Sequence, residues 1–213
     1  MYIWEQRNWP HFEWDESVLR PTLDALRLLQ GRVLGKTEAV HGQADLDVEM
    51  DALIQNAIRT SEIEGERLDV GFVRSSVARQ LGLEQAGVSA RTTPESEALV
   101  MLFVQGPGVL GNVRVGELRG DHPMQVVSGR LDRLTVHFEA PPRGQLEAEL
   151  DAFITWFNHP PQGLDALVRA GITHLWLITL HPFDDGNGRV TRAVTDRALA
   201  QAERQSVRFY SLS

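Results

Sequence analysis

The sequence predicts a mainly α-helical fold that contains one β-hairpin. Apolar residues recur every three or four positions over most of the chain, which is the spacing of helices with one buried face. Between about residues 112 and 141 the pattern changes to short valine-rich runs, as in paired strands. With 213 residues, 42% of them hydrophobic and 23% charged, the chain resembles a globular protein that can bury a core. We therefore expect one large domain, or one domain with a small appendage.

The N-terminal part predicts an arm followed by a long helix. Residues 1–16 carry three tryptophans and a proline among polar residues, too broken for a long helix and too aromatic for a flexible tail. We expect this arm to pack on the body of the protein, with its tryptophans as packing anchors. From residue 17 to about 40, apolar residues at helical spacing predict one helix, whose far end two glycines weaken.

Three further helices are predicted before the hairpin. Residues 46–59 repeat the helical pattern, and Gly65 in the TSEIEGE segment that follows suits a helix C-terminus. A third helix is expected over residues 70–82. A fourth is expected over residues 95–104, because Pro94 has a backbone angle that suits a helix start.

The C-terminal half predicts the hairpin and three more helices. Ser128-Gly129 lies between two short apolar runs and is interpreted as the turn of the hairpin. Helices are expected over residues 146–157, 164–180 and 188–203. The second of these is apolar on almost every side, so it should be central.

Charge and composition exclude several classes of function. The formal net charge of −8, from 29 acidic and 21 basic residues, argues against a nucleic-acid-binding surface. The absence of cysteine excludes disulfides, thiolate metal sites and a cysteine nucleophile. No stretch resembles a standard export signal or a membrane span, so the sequence predicts a cytoplasmic protein with no membrane or nucleic-acid partner.

The residues that carry chemistry lie in one segment, HPFDDGNGRVTR, at residues 181–192. Gly186 and Gly188 let the backbone approach a ligand, and the amide N–H groups at the start of the next helix form an anion site. Arg189 and Arg192 are three residues apart, so they share one face of that helix and could hold phosphates. The segment therefore predicts a site for a nucleotide.

Two further side chains complete this site. Asp185 offers one carboxylate, which suits Mg²⁺ because that ion takes much of its shell from phosphates and water. His181 is the nearby group whose ordinary pKa, about 6.5, allows it to accept a proton at neutral pH. Together these residue types indicate phosphate chemistry on an activated hydroxyl.

This segment resembles the signature of Fic domain proteins, HPFx[DE]GNGRxxR, at every fixed position. The resemblance implies a Fic-type helical domain with a β-hairpin flap and an N-terminal helical arm. Residues 1–45 would then form the arm and its helix, and residues 46–213 the catalytic domain. It also implies a protein adenylyltransferase, which moves AMP from Mg²⁺-bound ATP to a Ser, Thr or Tyr hydroxyl of a target protein.

The resemblance assigns a role to most residues of the loop. His181 would take the proton of the target hydroxyl, and Asp185 would hold Mg²⁺ on the phosphates. The nucleotide would be bound by the backbone of the anion hole and by two arginines: Gly186, Asn187, Gly188, Arg189 and Arg192. Phe183 would plug the loop into the core, and Asp184 is given no role.

A second match lies upstream, where TSEIEG at residues 60–65 resembles the inhibitory motif [ST]xxxE[GN] of self-inhibited Fic proteins. In the bacterial subgroup with this arrangement, an inhibitory helix, here about residues 46–65, precedes the catalytic motif. Glu64 would pair with Arg192 and deny ATP a phosphate contact. Residues 122–141 resemble the flap, along which a protein target would bind.

Other interpretations stay open at this stage. Glu64 could be a solvated helix-end charge, Arg189 and Arg192 could pair with Asp196 or Glu203, and His174 is expected to be a packed histidine with a hydrogen-bonded ring.

Relatives of the subgroup have a longer stretch before the flap and continue past an FYS-like segment, whereas this sequence ends at Ser213. One alternative is thus an inactive or shortened Fic-like binding protein. Another is a Fic enzyme that transfers a different phosphate-linked group or removes AMP. The oligomeric state is left open, a homo-oligomer included.

Overall fold

The computed structural model describes residues 1–41, 45–65, 67–80, 117–130 and 133–203. Within these ranges the chain forms six α-helices and one antiparallel hairpin, so the prediction of a mainly α fold is confirmed. In chain order the elements are α1 (Glu16–His41), α2 (Asp45–Ile63), α3 (Val70–Gln80), β1 (Gln125–Arg130), β2 (Arg133–Glu139), α4 (Leu146–Asn158), α5 (Ala166–Leu180) and α6 (Asn187–Glu203). The helix expected over residues 95–104 lies outside the described residues.

Helix α5 is the centre of the main core, as its apolar sequence predicted, because it packs against both α4 and α6. Trp176 on α5 meets Phe153 of α4 edge to face, with ring centroids 5.6 Å apart. Trp9 of the N-terminal arm contacts the same indole at 6.0 Å and donates a hydrogen bond from its own ring nitrogen to Glu149. The arm therefore packs on the body, as expected. The expectation fails for Trp14, which is 41% exposed.

The boundaries of α5 have local causes. Asp165 caps its N-terminus by accepting hydrogen bonds from the backbone N–H groups of Leu167 and Val168, at 2.9 and 3.3 Å. The helix ends at Leu180, two residues before Pro182, which cannot donate a backbone hydrogen bond. The candidate loop thus begins where α5 is forced to end.

Helices α2 and α3 form a second, smaller core cluster of four buried residues: Ile54, Ala57, Val73 and Val77. Helix α2 also contacts α6. After α2 the chain turns at Gly65, whose φ of 80° lies in the left-handed region that glycine adopts readily. This turn places the residue before it, Glu64, beside the start of α6. Every helix in the described ranges is too short or too polar to span a lipid bilayer.

The hairpin lies where the sequence predicted it, but the predicted position of its turn differs from the structure. Val127 pairs with Val136 and Gly129 with Leu134, so the connection is at residues 131–132, which lie outside the described residues. The turn expected at Ser128-Gly129 is therefore wrong, because both residues belong to β1. Glycine and serine are common in turns, but the cross-strand pairing decides the register.

Candidate functional site

The candidate loop begins at His181, which caps the C-terminus of α5 in an unusual backbone conformation. Its φ of 47° and ψ of 59° lie in the left-handed region, where no other described residue apart from glycine has a positive φ. This conformation costs an L-residue roughly 1–2 kcal/mol, so the surrounding structure must hold it. It turns the chain out of α5 and into the loop.

The histidine ring is oriented by a hydrogen bond to the helix that it caps. Nδ1 of His181 lies 3.2 Å from the carbonyl oxygen of Ile178. A carbonyl can only accept, so the bond assigns the proton of the neutral ring to Nδ1 and leaves Nε2 with a free lone pair. Nε2 is therefore the nitrogen that can accept a proton.

The surroundings of His181 favour its neutral form. Burial is the largest cause that lowers the pKa of His181 below its ordinary value, and the positive charge of Arg119 lowers it further. The hydrogen bond to Ile178 and the carboxylate of Glu64 oppose these effects in part. At neutral pH the ring is thus uncharged and available as a base.

The side chain of Asn187 links the start of α6 to the backbone of the loop at Phe183. Its side-chain oxygen accepts a hydrogen bond from the backbone N–H of Phe183 at 2.9 Å, and its amide nitrogen donates to the Phe183 carbonyl at 2.7 Å. The side chain of Asn187 is buried. These bonds hold the loop backbone at Phe183 against the start of α6.

The loop residue that is fully buried is Pro182, whereas Phe183 is only half-buried. The expectation that Phe183 plugs the loop into the core stays a prediction, since its side chain is only partly buried. Phe183 contributes through its backbone N–H and C=O, both of which bond Asn187.

An acidic side chain of the same protein lies against the start of α6, where the sequence predicted an anion site. A Cβ atom built on Gly188 would overlap the Oε1 atom of Glu64. The carboxylate of Glu64 thus rests on the backbone at the helix N-terminus, where free N–H groups and the helix dipole favour negative charge. Only glycine at position 188 leaves room for this approach.

Arg192 binds the same carboxylate and ties α6 to α2. Its Nη2 atom donates to Oε1 of Glu64 at 2.6 Å and to the Thr60 carbonyl at 3.1 Å, and its Nε atom donates to the Thr60 hydroxyl. The side chain of Arg192 is 13% exposed and that of Glu64 is 38% exposed. The structure therefore brings Glu64 and Arg192 together, although they are 128 residues apart in the chain.

The remaining predicted site residues lie beside this contact. Arg189 donates to the carboxylate of Asp185 at 3.1 Å, and the Asp185 side chain is 63% exposed. In the described parts of the chain, no three histidine, aspartate or glutamate side chains lie close enough to hold a metal ion by themselves. The single carboxylate of Asp185 fits an ion that arrives with nucleotide phosphates, as Mg²⁺ does.

The prediction of a hydrogen-bonded ring for His174 is confirmed, but the prediction of a packed side chain is wrong, because the residue is exposed. Its Nδ1 atom lies 3.2 Å from the Thr195 hydroxyl, and the partial burial of the ring, followed by the charge of Arg192, lowers the pKa of His174. This hydrogen bond links α5 to α6 outside the loop.

Sequence reasoning missed two polar contacts that support the site. The Nδ2 atom of Asn56 on α2 donates to buried Asp196 of α6 at 2.6 Å. Arg119, which is 2% exposed, donates from its side chain to the carbonyl oxygens of His181 and Pro141. Neither residue stands in a recognisable motif, so only the spatial arrangement identifies them.

Comparisons with known proteins relate parts of the chain to known families. Residues 107–199 match the sequence profile described as the Fic/DOC family, and residues 2–83 match a domain of unknown function, DUF4172. A curated relative from Nematostella vectensis, named protein adenylyltransferase Fic, is 26% identical over 172 residues, or 71% of this chain and 38% of the relative. A relative of the same name from Aedes aegypti is 24% identical over 166 residues, or 72% of this chain and 33% of the relative. The chain thus spans about a third of the length of these relatives.

Solved structures support the same fold. A Fic family protein from Desulfovibrio desulfuricans G20 superimposes with a TM-score of 0.55 at 17% identity, covering 90% of this chain and 60% of that one. A Fic domain containing signaling protein from Bacteroides thetaiotaomicron VPI-5482 gives a TM-score of 0.51 at 17% identity, covering 79% of this chain and 71% of that one. The chain therefore carries a Fic/DOC domain at residues 107–199.

Proposed function

We propose that this protein is an adenylyltransferase that moves AMP from ATP to a Ser, Thr or Tyr hydroxyl of a target protein, and that Glu64 inhibits it. The name of the curated relatives supports the reaction class. The observation that supports the proposal is that one segment carries a neutral histidine, a glycine against which a carboxylate rests, and two arginines that bind carboxylates.

In the proposed reaction His181 acts as the general base. Its Nε2 atom takes the proton of the target hydroxyl, and the hydroxyl oxygen bonds to the α-phosphorus of ATP. The bond from that phosphorus to the oxygen that bridges the α- and β-phosphates breaks, and pyrophosphate leaves with the electron pair. The products are an AMP ester of the target and pyrophosphate.

The start of α6 would bind the phosphates. The first backbone N–H groups of α6 have no partner within the helix, so residues 186–188 can direct their N–H groups and the helix dipole at an anion. Arg189 and Arg192 lie on one face of α6, next to these groups. Arg192 can reach a phosphate only after it releases Glu64, which it binds in this structure.

Asp185 would hold Mg²⁺ together with the nucleotide phosphates. Its carboxylate is exposed at the loop and accepts a hydrogen bond from Arg189 at 3.1 Å. A bound Mg²⁺ would neutralise charge on the phosphates and on the leaving pyrophosphate.

The inhibition follows from the position of the Glu64 carboxylate. It occupies the space over Gly188 and pairs with Arg192, which are the two places where we expect phosphate oxygens. ATP must therefore displace an internal competitor before it can bind productively.

The hairpin, β1 and β2, would receive the target protein. Four apolar side chains of this two-stranded sheet are exposed: Val126, Val127, Leu134 and Val136. A two-stranded sheet also leaves backbone groups unpaired at its edges, to which an extended target segment can add as a strand.

The reaction can be tested with radiolabelled ATP. The Glu64→Gly variant is incubated with Mg²⁺ and with ATP labelled either at the α- or at the γ-phosphate, alone and with a cell lysate. Label that enters protein from the α position and not from the γ position would support AMP transfer. Label from the γ position, or no label from either, would contradict the proposal.

Asp185→Ala is expected to weaken the magnesium dependence of the reaction. The variant removes the main protein ligand of the ion, so transfer should slow and the Mg²⁺ concentration for half-maximal rate should rise. Asp184→Asn is the matched control, because it removes the neighbouring charge but keeps the oxygen that accepts a hydrogen bond from Gly120 N–H. An unchanged Mg²⁺ titration in Asp185→Ala would move the ligand role to another residue.

A further inference from the structure

Arg119 is a buried cation whose hydrogen bonds go to backbone carbonyls around the catalytic loop. Its Nε atom donates to the His181 carbonyl at 2.9 Å, and one terminal nitrogen donates to the carbonyl of Pro141, just after β2. Its backbone N–H donates to the Pro182 carbonyl at 2.8 Å. One residue thus joins the loop to the base of the hairpin.

These contacts restrain the backbone conformation of His181. His181 lies in the left-handed region, and the carbonyls of residues 181 and 182 follow the last turn of α5, where helix carbonyls lack partners within the helix. A guanidinium group at a helix C-terminus satisfies such carbonyls and interacts favourably with the negative end of the helix dipole. Arg119 therefore restrains the peptide group that sets the direction of the histidine side chain.

The same group acts on the imidazole through its charge. After burial, which is the largest cause, the charge of Arg119 lowers the pKa of His181, whereas the carboxylate of Glu64 raises it. Burial also lowers the pKa of Arg119 itself, with Arg143 adding to this effect and Asp184 opposing it. The charges of Arg119 and Glu64 thus have opposite effects on the pKa of His181.

We propose that Arg119 is a positioning residue, which holds the backbone of His181 in the orientation needed for proton transfer and couples it to the base of the hairpin. This inference rests on the proposed function, because it assigns Arg119 a part in the action of the general base. A displacement of a reacting group by about 1 Å can lower a rate about 100-fold, so a contact of this kind has a measurable effect.

The test compares two substitutions, each in the Glu64→Gly background. Arg119→Met removes both the charge and the side-chain donors, whereas Arg119→Lys keeps the charge and one donor group. Arg169→Met is the control, because Arg169 is also buried and donates to a carbonyl, that of Phe157, at 2.9 Å, far from the loop. The readouts are kcat and KM for ATP across pH, thermal stability, and NMR titration of the His181 ring without nucleotide.

We expect Arg119→Met to lower kcat about 100-fold while KM for ATP changes less than about threefold. Removal of the cation favours the charged imidazolium, so the pKa of His181 should rise and the acid limb of the pH–rate profile should move to higher pH. Arg119→Lys should keep the acid limb in place and recover part of kcat.

A purely structural role would give a different result. If Arg119→Met and Arg169→Met lose kcat equally at equal loss of thermal stability, and neither moves the acid limb, the proposal is overturned. If Arg119→Met does not fold, Arg119→Lys decides the question. A kcat of Arg119→Lys equal to that of the Glu64→Gly parent would also overturn the proposal. If no variant transfers AMP, the proposed function fails, while the NMR titration of His181 still tests the effect of Arg119.

Discussion

His181→Ala is expected to lower AMP transfer at least about 100-fold while ATP still binds, since general bases contribute factors of about 10² or more. The phosphate contacts come from α6 and the loop backbone, so the loss should appear in kcat and not in nucleotide affinity. The measurement is the rate of α-label transfer in the Glu64→Gly background, with ATP affinity measured by calorimetry.

The matched control for this substitution is His159→Ala. His159 caps the C-terminus of α4, and its Nδ1 atom lies 3.3 Å from the Thr155 carbonyl, an arrangement like that of His181 at the end of α5. It lies outside the loop, so its removal should leave the transfer rate unchanged. Transfer by His181→Ala at more than about one hundredth of the parent rate would contradict the assignment of the base.

Glu64→Gly is expected to raise transfer by up to roughly 100-fold. If about 1% of molecules have a free Arg192 at any time, apparent productive affinity is reduced by that fraction, and removal of the carboxylate restores it. A factor of 100 corresponds to about 2.7 kcal/mol. Three hydrogen bonds from Arg192 to Thr60 and Glu64 make this magnitude reasonable, although the 38% exposure of Glu64 reduces what the ion pair alone can contribute.

The matched control is Glu62→Gly. Glu62 lies two residues earlier, pairs with Arg59 on the same helix at 3.0 Å and is exposed, so the variant changes the same charge near the same helix end without touching the site. The fold should tolerate Glu64→Gly because α2 ends at Ile63, where the low helix propensity of glycine has little effect. Equal self-labelling rates in the parent and Glu64→Gly, both folded, would show that Glu64 is only a helix-end charge.

The sequence by itself determined the features that have local causes. Helices α4, α5 and α6 lie within about two residues of their predicted bounds, because periodic apolar positions and Pro182 act on their own neighbourhood. Helix α2 starts one residue before its predicted start but continues four residues past its predicted end, to Ile63. The composition of the 181–192 segment likewise identified the candidate site, since its histidine, glycines and arginines lie close together in the sequence. The pairing of Glu64 with Arg192 was predicted only through the family resemblance, because no local property of either segment indicates it.

The tertiary structure alone decided the features that depend on distant partners. Cross-strand pairing placed Ser128 and Gly129 inside β1, against their local preference for a turn. Arg119 lies 62 residues from His181 in the chain, and an isolated arginine in a polar segment is normally exposed. Its burial becomes favourable only when the ends of α5 and β2 present carbonyls that need donors.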